Sequence, residues 1–210
     1  QVVTLPIRWR DVETEPGQFD WKEVDRRFRW AQKHDFKLFA GPLVRFEPEH
    51  LPDYLLELPE GDDRFDHLSF AVHRYIDEFI DRYSVKLDKL ITVGGFNIPS
   101  EFITDQADQV QLTASTVTRS LETLHDTGAE VPVMVTIAQP WAEFASRMPQ
   151  SEEKAIGEEA RWLARMSMDP RMQLEALVRM TGAALGGFML ETHFAHHRGA
   201  TLPRPPLEFV

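Results

Sequence analysis

Short apolar runs of strand length recur along the chain and alternate with segments whose apolar residues repeat at helical spacing. The runs cover residues 2–7, 36–40, 90–93, 133–137 and 188–190. Between them, Trp21, Val24, Phe28 and Ala31 make one helical face, and Leu68, Val72, Tyr75, Ile76, Phe79 and Tyr83 make a longer one. Val117, Leu121 and Leu124 make a third, and Leu174, Leu177, Val178 and Thr181 a fourth. Near-continuous apolar strands separated by amphipathic helices predict a parallel sheet, because each return helix covers a face of the sheet and leaves little of the strand in water. Five βα-like steps follow, in one α/β domain spanning residues 1–210.

Proline and glycine collect in the stretches after the strands: "EPGQFDW", "EPEHLPDY", "GGFNIPS", "QPWAEF" and "HHRGATLPRPP". These stretches also hold aromatic and acidic side chains, and parallel α/β folds place their chemistry at the carboxyl ends of the strands. Residues around 140–170 form a longer interval with a charged helix candidate, "SEEKAIGEEARWLARM", which reads as an insertion over one face.

Composition narrows the partners. With 34 acidic against 23 basic residues the formal charge is -11, and no Lys/Arg run is long enough to track phosphates, so nucleic acid and anionic membrane are not expected partners. The absence of cysteine excludes disulfides, thiolate nucleophiles and thiolate-bound metals. No apolar stretch approaches the ~20 residues of a membrane helix. The opening "QVVTLPIRW" has no basic leader segment and reads as the inside of a strand.

Three strand ends carry candidate chemistry. In "GGFMLETHFAHH" Glu191 and His193 stand two apart at the end of a strand, so both side chains point to one face and can act on one ligand. His196 and His197 follow; with Glu191 and His193 they offer zinc ligands but no fixed ligand spacing, and solvated loop residues are the plainer reading. In "TIAQPWAEF" Trp141 offers a flat face to the C–H surface of a sugar ring. Glu143 beside it can protonate a glycosidic oxygen or attack an anomeric carbon. The same two residues equally fit a hydrophobic cap and a helix-start charge. In "GGFNIPSEF" the Asn97 amide can both donate to and accept from a sugar hydroxyl, whereas Glu101 fits ordinary turn chemistry after Pro99. No phosphate loop, GxSxG elbow or kinase signature is present.

The first third of the chain, "IRWRDVETEPGQFDWKEVDRRFRWAQKHDFKLFAGPLVRF", resembles the second and third βα units of the family ten glycoside hydrolases, the xylanase family. Arg8, Trp9, Glu13, Gly17, Phe19, Trp21, Asp25, Ala31, Pro42, Leu43 and Val44 carry the likeness, and "LPDYL" stands where that family has a Pro-x-Trp-Leu segment. "YIDEFIDRYSVKLDKLITVGGFN" resembles the helix and fourth strand that bear the acid/base glutamate. "ALVRMTGAALGGFMLETHF" resembles the helix and sixth strand ending in Gln-x-His, which puts Glu191 at the Gln and His193 at the His. The departures are specific. Gly41 and Arg45 replace the third-strand His and Trp, and the fourth-strand Asn-Glu falls on Gly94-Gly95 or Gly95-Phe96. The family's seventh-strand nucleophile lies beyond the last residue, Val210.

The resemblance implies a (β/α)8 TIM-type barrel, incomplete in this chain. Five strands of eight leave two open edges, so a piece of a longer protein is expected. It implies a glycoside hydrolase acting on a β-linked polysaccharide such as xylan through two carboxylates, without a cofactor and in a secreted or periplasmic setting. Glu143 as acid/base and Glu191 as nucleophile or electrostatic stabiliser are the expected pair, with Arg8, Trp9, Asn97, Trp141 and His193 holding the sugar. Two alternatives stay open. One is an inactive carbohydrate-binding or scaffold barrel; the other is a metal-dependent hydrolase using Glu191, His193 and His196.

Overall fold

The computed structural model describes residues 1–59, 63–98, 100, 102–103, 106–138, 170–191, 196–197 and 200–201. Five parallel strands form one curled sheet: β1 (Val2–Leu5), β4 (Lys37–Ala40), β5 (Lys89–Val93), β6 (Val133–Ala138) and β7 (Gly187–Glu191), paired in that order. All five coincide with the apolar runs of the sequence. Each strand pairs in space with the next one in sequence, so every connection is a βα crossover of the same kind, the topology of a barrel wall rather than of a doubly wound sheet.

The helices arise where the 3.6-residue periodicity placed them: α2 (Lys22–Lys33), α4 (Asp63–Tyr83), α5 (Gln106–Asp126) and α6 (Pro170–Thr181). Shorter pieces precede them, α1 (Trp9–Val12) and α3 (Asp53–Leu56). The stretch after β1 is more ordered than a loop. Its strands β2 (Glu13–Glu15) and β3 (Gln18–Phe19) form a small antiparallel hairpin, with Gly17 at φ 75° where an L side chain would be strained. His196–His197 and Ala200–Thr201, expected as plain loop, pair as a second two-residue antiparallel ladder, β8 and β9. The expected charged helix lies outside the described residues.

Burial grades across the sheet as its topology requires. Residues Leu90 to Val93 of the central β5 are all buried, whereas β1 and β7 leave Val2 at 55% and Leu190 at 41% exposure. The outer edges of β1 and β7 therefore carry the apolar surface that neighbouring strands would cover in a closed barrel.

The core between the sheet and its helices is aromatic at one end. Trp9 stacks on Tyr75 at 5.0 Å and 8°, Trp21 lies 6.0 Å from the same ring, and Phe28 stacks on Tyr83 at 4.3 Å. Glu13, with no exposed surface, ties this end together: it accepts from the Trp9 indole N–H at 2.7 Å, from the Gly17 amide at 2.6 Å and from the Arg74 guanidinium. Its burial is offset because a guanidinium and two N–H donors replace its water.

Candidate functional site

The carboxyl ends of β4, β5, β6 and β7 bring together four polar side chains. After β4 the chain runs alongside the end of β5: the Leu43 and Val44 amides donate to the Ile91 and Thr92 carbonyls at 3.1 and 2.9 Å, and Val44 bridges Val93. This lays Arg45 over Gly94 and Gly95. The guanidinium donates from Nη2 to Glu191 Oε1 at 2.5 Å and from Nη1 to Glu47 Oε1 at 3.4 Å. From β6, the Thr136 hydroxyl donates to the same Glu191 oxygen and itself accepts the Gly95 amide at 2.7 Å. Parallel pairing of Ala138 with Glu191 sets the height at which β7 delivers this carboxylate.

The glycines make room for the arginine. A Cβ on Gly94 would meet the Pro42 ring at 2.7 Å and Arg45 Nε at 3.0 Å. A Cβ on Gly95, which sits at φ 55°, would meet Ile98 at 2.7 Å and Arg45 Nη1 at 3.1 Å. No larger side chain enters here without displacing Arg45, so the Gly-Gly pair and the arginine are one arrangement. Gly41 is equally constrained, since a Cβ at that position would lie 2.0 Å from the Ile91 carbonyl oxygen.

The loops behind the cluster are held from below. Ser100 donates to the Phe46 carbonyl and accepts the Phe102 and Ile103 amides at 3.1 and 3.3 Å. Gln109 of α5 donates to the Phe96 and Ile98 carbonyls at 2.9 and 2.6 Å. The backbone at Phe46, between Arg45 and Glu47, and the turn at Phe96 and Ile98 are thereby held by buried side chains.

The electrostatics are asymmetric. Arg45, Glu47 and Glu191 keep 19%, 15% and 13% of their side-chain exposure, so they are largely desolvated yet still reach the solvent. Burial works against the Arg45 charge, but the hydrogen bond and charge of Glu191, with Glu47 behind it, hold the guanidinium above its usual value. Burial pushes the Glu47 carboxyl above its ordinary value; a backbone hydrogen bond and then the Arg45 charge oppose this, and Glu49 and Glu191 add to it. Burial likewise lowers the nearby His50, followed by the charges of Arg45 and Arg8, against Glu49 and Glu191.

Of the residues nominated from the sequence, Glu191 stands at the centre of this cluster. Arg8 is exposed at the start of α1 and acts on His50 through its charge. Asn97 lies in the turn after β5 at 4% exposure. Trp9 is elsewhere: it is 1% exposed, one ring face lies on Tyr75 and its N–H belongs to Glu13, so it is a packing residue. Trp141, Glu143 and His193 lie outside the described residues. Among the described residues no three His, Cys, Asp or Glu side chains converge as metal ligands, and no helix is long and apolar enough to cross a membrane.

Sequence reasoning passed over Arg45, Glu47 and Thr136. Arg45 registered only as a departure from the xylanase pattern. Glu47 was legible as an acid directly after a strand, in "VRFEPEH", but nothing local marks it as buried.

No protein-family model and no curated protein matches the sequence. Solved structures do. The endo-1,4-beta-xylanase XylE of Penicillium canescens aligns over 89% of this chain and 49% of its own, with a TM-score of 0.62 and 16% identity. A family ten xylanase of Thermobacillus composti aligns over 90% of this chain and 49% of its own, at a TM-score of 0.57 and 17% identity. A glycosylated family ten endo-beta-1,4-xylanase of Gloeophyllum trabeum covers 89% and 50%, at 0.57 and 13%. The chain spans about half the length of these solved xylanases. Low identity with near-complete coverage of this chain is a likeness of backbone, and the chain carries the fold of family ten xylanases as five consecutive strands of a TIM-type barrel.

Proposed function

We propose that this chain is part of a glycoside hydrolase-like barrel that takes a β-linked polysaccharide such as xylan across the carboxyl ends of its strands. The observation that carries the reading is Glu191: a carboxylate delivered by a strand end, oriented by Arg45 and Thr136, at the mouth of a xylanase-like half-barrel. Glycoside hydrolysis needs one carboxylate that stays charged beside the anomeric centre and another that gives a proton to the departing oxygen. Glu191, fastened to a guanidinium, suits the first role, as nucleophile or electrostatic stabiliser. Glu143 is the proton donor nominated by sequence order, and Trp141, His193, Asn97 and Arg8 are the sugar-holding candidates around it.

Hydrolysis of xylan and mixed β-glucan by the whole protein, measured as reducing sugar released, tests the reading. Glu191→Gln is expected to lower turnover by orders of magnitude while the far-ultraviolet circular dichroism stays unchanged. Full activity in that variant removes Glu191 from the chemistry.

A second reading rests on Gly94 and Gly95, which stand where the family's acid/base segment falls and admit Arg45 instead. A barrel built this way fits a protein that binds glycan without cleaving it. Calorimetric binding of xylo-oligosaccharide with no reducing sugar released favours this form over the hydrolase.

A further inference from the structure

We propose that Glu47 is the proton donor of this site, supplied by the loop after β4 in place of the acid missing from the end of β5. The assignment rests on the hydrolase reading above and names a catalytic residue for it. Its basis is the shared guanidinium: Arg45 touches Glu47 with one terminal nitrogen and Glu191 with the other. Because the guanidinium fork is rigid and planar, the two contacts keep the carboxylate oxygens within about 8 Å of each other. Separations up to that limit include the retaining distance of about 5 Å and the lower part of the inverting range of roughly 6.5–9.5 Å.

The same guanidinium makes the two acids unlike. It lies at 2.5 Å from Glu191, which also receives the Thr136 hydroxyl, but at 3.4 Å from Glu47. Strong pairing favours the charged form of Glu191. At Glu47 burial is the largest influence and favours the protonated form, over the opposition of a backbone hydrogen bond and the more distant Arg45 charge; Glu49 and Glu191 add to it. A buried acid next to a carboxylate fastened to a guanidinium is the arrangement in which acid and nucleophile can coexist at one pH. Arg45 and Glu49 act on Glu47 through their charges, and the nearby His50 feels Arg45, Glu49, Arg8 and Glu191.

In the reaction the Glu47 O–H gives its proton to the glycosidic oxygen while the bond from that oxygen to the anomeric carbon breaks, its electron pair going to oxygen. The leaving sugar departs as a neutral alcohol. The Glu191 carboxylate bonds to the anomeric carbon. Water then displaces it, passing one proton back to Glu47 and leaving a hydroxyl on the sugar, so one water is consumed and both carboxyl groups return to their starting states. Ser100, by holding the Phe46 carbonyl, fixes the backbone that presents Glu47.

The test compares Glu47→Gln and Glu143→Gln in the whole protein on two substrates, xylan and an aryl β-xyloside whose phenolate leaves without protonation. Glu47→Gln is expected to lose about 10²- to 10⁴-fold on xylan. Read as kcat/KM, which reports the first step alone, it should keep most of its activity on the aryl substrate and lose the alkaline limb of the pH–rate profile, while calorimetric binding of xylo-oligosaccharide is retained. A merely structural role lowers both substrates together. Parallel loss on both, or wild-type xylan turnover in Glu47→Gln, overturns the assignment and leaves the hydrolase reading standing; the leaving-group signature in Glu143→Gln instead transfers the role to that residue. Absence of hydrolysis by the wild-type protein overturns both.

Discussion

Replacing Arg45 by methionine removes the charge between Glu47 and Glu191 while keeping most of the side-chain volume. Glu191, at 13% exposure, then keeps the Thr136 hydroxyl but loses the Arg45 cation, with Glu47 at 15% exposure on the other side of the gap. Breaking a fully buried ion pair costs about 3–5 kcal/mol, and the remaining exposure of all three groups reduces that to roughly 2–3 kcal/mol. Glu191→Gln alone costs less, about 1 kcal/mol, because the amide oxygen can still accept from Arg45 and Thr136. In the double variant the stranded charge no longer exists, so the two losses are not additive. The expected coupling is about 1–2 kcal/mol, with the double variant more stable than the sum of the singles. Urea unfolding of the four proteins at neutral pH measures it, provided the slopes of the transitions agree. Additivity to within about 0.3 kcal/mol would mean that Arg45 and Glu191 do not act as a pair. The account of the site would then fail at its base.

Gly95→Ala forces a Cβ against Ile98 and Arg45 at a left-handed backbone position, so a loss of about 1–3 kcal/mol in urea is expected, together with a fall in glycan affinity as Arg45 is displaced. Glu13→Ala strands the Trp9 N–H, the Gly17 amide and Arg74; a loss of about 3 kcal/mol and a changed tryptophan emission spectrum are expected, and a neutral effect on stability would contradict the buried network. Burial, then the charge of Arg119, holds the His73 ring below its ordinary value, with Asp77 and Glu122 opposing. The unfolded ring therefore takes up a proton more readily than the folded one, and stability is full above about pH 6.5 and declines as pH falls below it. His73→Gln should reduce that decline in thermal melts, leaving the contribution of the His50 ring, which is lowered in the same sense. Asp25 works in the same direction at lower pH: Arg82 and Tyr83 hold its carboxyl below the usual range, so its contribution is present above about pH 4 and is lost as acid protonates it, a step that Asp25→Asn should remove.

The strands and helices were legible because burial leaves a period in the sequence. Residues 133–137 and 188–190 could only be strands between helical faces, and β6 and β7 appear there. Glu191 was legible as an acid at the end of such a strand, the end at which parallel barrels place their chemistry. Trp9 shows where the same logic fails. An aromatic beside an arginine at a strand end has the same local pattern whether its ring faces a ligand or lies on Tyr75, and the partner is 66 residues away in sequence. Arg45 and Glu47 fail for the complementary reason. An arginine and a glutamate after a strand look like solvated loop charges until the chain curls β5 and β7 beneath them.

The sequence by itself determined the class of fold, the five strands of the parallel sheet and their order, the acidic net charge and the exclusion of thiol chemistry, because hydrophobic period and composition are properties of the chain taken locally or as a sum. Only the tertiary structure decided which charges meet. The Arg45–Glu191 contact joins residues 146 positions apart, and its geometry depends on the parallel register of β6 with β7 and on two glycines that leave room for a guanidinium. No periodicity encodes such a contact, since it arises where the closing sheet brings the ends of different strands to one level.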